Sequence, residues 1–219
     1  MDFGLSQDQQ MLRDAVARCL ADTCPLDHVR ECAELDNPLS DKVLGAVQDL
    51  GIPGMLVPEE HGGLGMTLLD AAIVAEQLAY MVAISETIEA RDGAGVSSAD
   101  GKLSGTALFC LDFEGADAYI VADAGGRLHL VTADALKLET IRLTTIDRTR
   151  SVGELRFEQT EAEPLIDDNG ATTARLRDAG RVILAADSLG AGQAMIEKAV
   201  DYSGQREQFG RLIGSFQAV

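Results

Sequence analysis

The chain has 219 residues, and 46% of them are hydrophobic, a content that allows a sizeable core and excludes disorder throughout. Its 36 acidic residues outnumber its 18 basic residues, which gives a formal net charge of −18. This charge argues against a nucleic-acid partner, because phosphate binding requires a basic surface, and it favours a solvated acidic exterior.

The cysteines and the apolar stretches bear on the cellular location. Cys19, Cys24, Cys32 and Cys110 lack the paired short spacing of a zinc or redox site. No basic start followed by an apolar run and a cleavage site opens the sequence, and charged or glycine residues interrupt every apolar stretch before the roughly 20 residues that a membrane span requires. We therefore expect reduced thiols, a cytoplasmic protein and no membrane span.

The first zone, residues 1–83, has helical periodicity and is predicted to be an N-terminal helical domain. A helical pattern covers residues 6–35, with Ser6 as the candidate N-cap. Further helices are predicted at residues 41–50 and 67–81, on either side of a glycine-rich loop.

Three histidines invite a search for metal or acid–base chemistry. His61 follows two glutamates in the loop PEEHGGLG, but no further ligand stands at a suitable spacing, so we predict a structural loop and no metal. His28 and His129 have no partner that the sequence reveals, and a lone histidine is usually a surface or satisfied residue.

The periodicity changes in the middle of the chain. Between residues 84 and about 156, short apolar runs such as ALFCL, AYIVA and RLHLVTA alternate with glycine and aspartate, which predicts a small antiparallel sheet or barrel in a domain at residues 84–164. After the polar stretch IDDNGATTA, helical spacing returns for about seven turns. This helix begins a third domain at residues 165–219, so the fold class is α+β.

The segment REQFGRLIGSFQAV, residues 206–219, combines side chains that suit a nucleotide. Arg206 offers a rigid fork of donors for phosphate or pyrophosphate, Phe209 a flat apolar surface, and Gln217 an amide for a purine or ribose edge. The alternative interpretation pairs Arg206 with Glu207 or another surface acid and places Phe209 in a core.

Two segments carry a resemblance to a known family, LGIPGMLVPEEHGGLGMTLLDAAIVAEQLA at residues 50–79 and SLGAGQAMIEKAVDYSGQREQFGRLIGSFQAV at residues 188–219. Through them the whole chain resembles the acyl-CoA dehydrogenase family. The second segment is the more specific, since a tyrosine precedes the Arg-x-Gln-Phe-Gly unit and a Phe-Gln pair follows it. The resemblance implies an acyl-CoA dehydrogenase-like fold, with an N-terminal helical domain, a central small β-barrel or sheet domain and the start of a C-terminal helical bundle.

The resemblance also implies FAD as the cofactor and an acyl-CoA as the substrate. In the family, the Arg-x-Gln-Phe-Gly segment reaches across a subunit interface to the adenosine diphosphate half of a neighbour's FAD, so the same role is implied for Arg206, Gln208, Phe209 and Gln217. A homo- or hetero-oligomer, dimeric or tetrameric, follows from this arrangement. An electron-transfer flavoprotein is the implied electron acceptor.

Positions in the central zone match the family less closely. Ser85 and Phe109 stand where the family contacts the flavin, whereas Leu111 replaces an expected hydroxyl, and TIEARDGAG departs from the usual glycine-rich turn. Flavin binding by this chain's own sheet therefore stays open, and sheet core is the alternative interpretation. Asp178 and Arg181 stand at family positions near the acyl-CoA, or else on an exposed helix face.

The implied activity is that of an oxidoreductase of lipid metabolism and β-oxidation, which converts an acyl-CoA to the 2,3-enoyl-CoA. A carboxylate removes the α proton while hydride passes from the β carbon to the flavin. No catalytic base is assigned here, because Glu86 heads a strand and Glu207 lies in the nucleotide-binding segment. Family members have further helices near residue 82 and beyond residue 219, so we expect a longer natural polypeptide, and an abbreviated family member is the alternative interpretation.

Three hypotheses about function remain open. The first is an FAD-dependent acyl-CoA dehydrogenase or a subunit of one. The second, motivated by Leu111 and TIEARDGAG, is a non-catalytic partner that lends residues 206–217 to the FAD site of a different subunit. The third is an acidic helical scaffold without a ligand.

Overall fold

The computed structural model describes residues 4–35, 41–78, 94–111, 113–146, 148–149 and 151–216. Helices come first, then strands, then one long helix and a small hairpin, as the α+β prediction requires. The helices are α1 (Gln7–Thr23), α2 (Leu26–Leu35), α3 (Asp41–Asp49), α4 (Leu68–Leu78) and α5 (Ala171–Ser203). The strands are β1 (Gly95–Ala99), β2 (Lys102–Leu111), β3 (Ala118–Ala122), β4 (Leu128–Thr132), β5 (Leu138–Leu143), β6 (Val152–Glu161), β7 (Glu163–Ile166), β8 (Glu207–Gln208) and β9 (Arg211–Leu212).

The first helix begins as predicted but ends earlier. Ser6 Oγ accepts a hydrogen bond from Gln9 N at 3.2 Å, and Gln9 Oε1 accepts one from Ser6 N at 3.0 Å, which is a complete capping box. The prediction of an unbroken helical pattern over residues 6–35 is wrong, because α1 ends at Thr23. Pro25 has no N–H and forces the preceding Cys24 out of helical geometry, with φ −134° and ψ 55°.

The N-terminal helices share one core and one interhelical hydrogen bond. Val16 of α1 packs with Met55 and with Ala71 and Val74 of α4. Asp70 Oδ1 of α4 accepts a hydrogen bond from Gln9 Nε2 of α1 at 3.0 Å, so α1 is joined to the first turn of α4. Residues 79–81, the predicted end of the third helix, lie outside the described residues.

Seven strands form two antiparallel sheets around a common core. The orders are β1-β2-β6-β5 and β3-β4-β7, and the prediction of small antiparallel sheets is confirmed. The strands continue to Ile166, ten residues beyond the predicted limit near 156. Both sheets contribute side chains to this core, which includes Val96, Leu103, Tyr119, Val131, Leu155 and Phe157.

The long helix α5 packs on α4 and is exposed over much of its second half. It has 33 residues, which at 3.6 residues per turn is about nine turns, two more than predicted. Thr173 Oγ1 donates to Gly126 O at 2.8 Å and so fixes the helix start to the β3–β4 turn. Further along, Leu189 is 66% exposed and Met195 74% exposed. The domain limits at residues 83 and 164 stay predictions.

Among the helices within the described ranges, none is long and apolar enough to cross a membrane.

Candidate functional site

The predicted nucleotide-binding segment forms a β-hairpin directly after α5. Strands β8 and β9 pair with Gln208 opposite Arg211, so Phe209 and Gly210 are the two turn residues. Their φ angles are +53° and +77°, and positive φ at both positions is what a type I′ turn requires. Asparagine followed by glycine usually fills this turn. A phenylalanine in the left-handed region is strained, at a cost on the order of 1–3 kcal/mol.

The ring and the guanidinium of this hairpin both face solvent. Phe209 is 93% exposed, so the interpretation that it lies in a core is wrong. Arg206 is also exposed, and its side chain has no hydrogen-bond or ion-pair partner in the part of the chain that the structure describes. The alternative ion pair between Arg206 and Glu207 is therefore not formed. Its backbone holds the hairpin to the end of α5, because Arg206 N donates to Tyr202 O at 2.9 Å and Ile213 N donates to Arg206 O at 2.8 Å. As far as the described residues show, the exposed ring of Phe209 and the guanidinium of Arg206 are therefore both available to a ligand.

A second aromatic ring and a second arginine lie beside the turn. The rings of Phe209 and Phe216 meet edge to face, with centroids 6.4 Å apart and an interplanar angle of 84°. Cζ of Arg211 lies 3.8 Å from the centroid of Phe216. Gln208 is exposed and donates to the carbonyl of Glu207 at 2.7 Å. Gln217, predicted to complete the site, lies outside the described residues.

Phe109 is a second strained and exposed phenylalanine. The pairing of β2 with β6 shifts register between Ala107 and Cys110, and Phe109 lies in this bulge with φ +53°. Bulges commonly reorient a side chain next to a functional site. The ring is 42% exposed, which does not fit the interpretation of Phe109 as sheet core. Leu111, by contrast, is half-buried opposite Val152, and Ser85 lies outside the described residues.

The predicted acyl-CoA contacts lie on the surface of α5. Asp178 Oδ1 and Arg181 Nη1 are 3.0 Å apart, and both side chains are 70% exposed. This arrangement fits the exposed-face interpretation as well as it fits a ligand contact. Glu207 is exposed on β8, and Glu86 lies outside the described residues, so neither gains support as a catalytic base.

The loop histidine has no metal-binding surroundings. His61 is 70% exposed, and Nε2 lies 3.7 Å from Glu60 Oε1. In the described segments of the chain, no group of three histidine, cysteine or acidic side chains is placed to hold a metal ion.

The β domain also contains a buried hydrogen-bonded cluster around the carboxylate of Asp123, which the sequence did not predict. Asp123 accepts hydrogen bonds from Ser98 Oγ at 2.6 Å, from Gly125 N at 2.8 Å and from Arg127 Nε at 2.8 Å. His129 Nε2 lies 3.3 Å from the same carboxylate. Burial acts to raise the pKa of Asp123, but the hydrogen bonds outweigh it and hold the pKa far below its usual range. His129, which had no partner that the sequence revealed, is therefore a buried structural residue.

Comparison with known proteins gives two matches to family models. One is the acyl-CoA dehydrogenase N-terminal domain, over residues 6–98, and the other is the acyl-CoA dehydrogenase C-terminal domain, over residues 171–219. The chain is 30% identical over 231 residues to acyl-CoA dehydrogenase IpdE2 of Mycobacterium tuberculosis. That alignment covers 97% of this chain and 69% of the relative.

Solved structures have the same fold. The ChsE4–ChsE5 complex from Mycobacterium tuberculosis matches with 22% identity and a TM-score of 0.79, over 100% of this chain and 72% of that chain. An acyl-CoA dehydrogenase complexed with FAD from Bacillus anthracis matches with 17% identity and a TM-score of 0.79, over 97% of this chain and 47% of that chain. At these identities the likeness establishes the architecture, and the predicted α+β fold is confirmed.

Proposed function

The chain belongs to the acyl-CoA dehydrogenase family, and from that premise we propose that it is an FAD-dependent acyl-CoA dehydrogenase, or one subunit of such an enzyme. The proposed reaction is oxidation of an acyl-CoA thioester to the 2,3-enoyl-CoA, with an electron-transfer flavoprotein as the electron acceptor. Family members are oxidoreductases that act on CH–CH bonds in lipid metabolism. The observation that carries the proposal is that one hairpin holds both Phe209, which is exposed and has a positive φ, and Arg206, whose side chain has no partner among the described residues.

The residues of the hairpin fit the adenosine diphosphate half of FAD. The guanidinium of Arg206 suits bidentate binding of a phosphate group, and its exposure leaves all donors of the fork accessible. The ring of Phe209 offers an apolar face to adenine or ribose. Bound FAD would supply the acceptor for the hydride that leaves the β carbon. The related enzyme from Bacillus anthracis is described as complexed with FAD, which supports the same cofactor for this chain.

Strain at Phe209 supports a binding role over a structural one. A turn residue that served only to join β8 to β9 would be asparagine or glycine, because these residues adopt positive φ at little cost. The chain instead holds a large apolar ring in solvent, where it contributes little to a core. Strain of this kind persists where a side chain has to be presented to a ligand or partner.

A hairpin that serves a neighbouring cofactor requires a neighbouring subunit. The second half of α5 presents apolar side chains to solvent, with Ile196 61% exposed and Val200 63% exposed in addition to Leu189 and Met195. Exposed apolar rows of this kind mark interaction surfaces, which a neighbouring subunit or the further helices expected beyond residue 219 would cover. We therefore propose a dimer or tetramer, of identical or different subunits.

One observation favours a second candidate function, that of a non-catalytic partner subunit. Leu111, at the half-buried end of β2, has no hydroxyl that could hydrogen-bond a flavin bound in the same β domain. The hairpin, by contrast, retains the side chains proposed to bind the nucleotide. The fold is shared with a structure of the two-component ChsE4–ChsE5 complex, which supports a heteromeric arrangement for this chain. In this case the hairpin would complete an FAD site that belongs to a different, catalytic subunit.

The experiment that separates these functions is the visible spectrum of the purified protein, alone and co-expressed with the product of the neighbouring gene. A flavin spectrum in the lone protein that bleaches on anaerobic addition of an acyl-CoA supports a self-sufficient dehydrogenase. Flavin that appears only with the neighbour supports a heteromer, in which this chain is either a catalytic subunit or the non-catalytic partner. Arg206→Ala is expected to remove the flavin in either case, and Arg175→Ala, at an exposed arginine of α5, to retain it. Absence of flavin in every preparation, with FAD added, would overturn both functions.

A further inference from the structure

We infer that Arg211 is a positioning residue of the nucleotide-binding hairpin, which holds the ring of Phe209 in place through the ring of Phe216. The inference rests on the proposed function and extends it to a residue that the family motif did not single out. It concerns three side chains that are contiguous in space, with the arginine at one end and the ligand-binding ring at the other.

The contact between Arg211 and Phe216 is a cation–π interaction. Cζ of the guanidinium is 3.8 Å from the ring centroid, well inside the limit of about 6 Å for such pairs. Among the side chains that the structure describes, no carboxylate lies within ion-pair distance of Arg211, so the aromatic ring is the neighbour that orients its guanidinium. Arg211 and Gln208 occupy the register positions that flank the turn, which places the arginine immediately behind Phe209.

The contact between Phe216 and Phe209 continues the stack. The two rings meet at 84° with centroids 6.4 Å apart, the edge-to-face geometry that aromatic pairs prefer. Phe209 is 93% exposed and has no core to fix its rotamer. Its ring is therefore oriented by the strained backbone at one end and by the edge of Phe216 at the other.

Positioning of an exposed ring affects affinity through entropy. A ring that is free to rotate loses side-chain freedom when a ligand orders it, and that loss weakens binding. The ring of Phe209 already contacts Phe216, and Arg211 in turn contacts Phe216, so the ring of Phe209 loses less side-chain entropy on binding. Removal of the guanidinium is therefore expected to weaken nucleotide binding even though Arg211 need not touch the ligand.

Direct binding of the diphosphate by Arg211 is the competing explanation, and a double-mutant cycle separates the two. The apoprotein, prepared with whichever partner its flavin site requires, is titrated with FAD, and the dissociation constant is measured by flavin fluorescence. The variants are Arg211→Met, Phe216→Leu and the double variant, with Arg206→Ala as the site control and Arg175→Met as a remote arginine control.

If Arg211 acts through Phe216, each single variant weakens FAD binding about two- to fivefold, and the double variant is no weaker than the single variants. If the effects of the two substitutions multiply, Arg211 acts independently of Phe216 and the inference is overturned. An unchanged dissociation constant in Arg211→Met also overturns it. If the inference is overturned in one of these ways, a loss of affinity in Arg206→Ala still supports the proposed FAD site. An unchanged dissociation constant in Arg206→Ala contradicts the proposed function itself.

Discussion

His129 Nε2 lies 3.3 Å from Oδ2 of Asp123, and both side chains are almost completely buried. The carboxylate also binds Ser98 of β1 and Arg127, the residue before β4, so one residue joins the edge of the first sheet to the β3–β4 turn of the second. Because these hydrogen bonds link the two sheets, they stabilise the packing of one sheet against the other. The same turn supports the start of α5 through Thr173.

Replacement of Asp123 by asparagine is expected to destabilise the protein. The amide keeps the shape of the side chain, but it cannot accept all of the hydrogen bonds and leaves the guanidinium of Arg127 without its counter-ion. Leaving buried donors without their acceptor costs roughly 1–3 kcal/mol, and the unpaired Arg127 adds little because its side chain is 42% exposed to water. Urea unfolding followed by circular dichroism measures the change. The matched control is Asp117→Asn, at an exposed aspartate in the same domain, for which the change stays within about 0.5 kcal/mol. Equal effects of the two substitutions would contradict the role of the cluster.

Acid is expected to remove the stabilisation that Asp123 contributes. Its pKa in the folded state is held far below the value of about 3.9 that an aspartate has in an unfolded chain. A lowered folded pKa contributes stability that is present above the unfolded pKa and is lost as the pH falls below it. The difference in unfolding free energy between the natural protein and Asp123→Asn should therefore be constant from pH 7 to about 5 and shrink below about pH 4. A difference that is independent of pH down to pH 3 would contradict this assignment.

The conformation of the loop between α3 and α4, and with it the stability of the protein, is expected to depend on Gly63 and not on His61. A Cβ at Gly63 would overlap with the carbonyl oxygen of Val57, so the backbone approaches too closely for any side chain. Gly63→Ala should lower the unfolding free energy by about 1–3 kcal/mol, as overpacking does. His61→Ala should change it by less than about 0.5 kcal/mol, because this side chain is exposed. Thermal melts with and without added Zn²⁺ test both statements. A melting temperature of the natural protein that rises with Zn²⁺ and does not rise in His61→Ala would restore a metal site.

The difference between what the sequence predicted and what it missed follows from the range of the interactions. Helices and the hairpin segment depend on residues a few positions apart, so the capping box at Ser6 and the unit around Arg206 are visible in the sequence. The break at Pro25 is equally local and follows from the missing N–H of proline. The hydrogen bond between Asp123 and Ser98 depends on the packing of one sheet against the other, across 25 residues of sequence, and no spacing rule marks it. Positive φ at Phe209 was also hidden, because phenylalanine is not a residue that signals a left-handed turn.

Replacement of Phe209 by asparagine is expected to separate stability from cofactor binding. Asparagine is favoured at the first position of a type I′ turn, so the variant relieves the strain that φ +53° imposes on a phenylalanine. Little packing is lost, since the ring is 93% exposed. The unfolding free energy should be unchanged or higher by up to about 1 kcal/mol. The affinity for FAD, however, should fall about 5- to 150-fold, because stacking of a base on an aromatic ring is worth roughly 1–3 kcal/mol.

Flavin released from equal amounts of the purified proteins and a thermal melt of each apoprotein provide the two measurements. Leu136→Asn is the matched control, since Leu136 is 86% exposed and lies in a turn of the β domain, so its replacement should alter neither quantity. A Phe209→Asn variant that lost stability together with flavin would show that the ring serves the fold, and the proposed nucleotide contact would lose its main support. Retention of both flavin and stability would show that the strain at Phe209 has no connection with the cofactor. Stability without flavin is the outcome that the exposed, strained ring predicts.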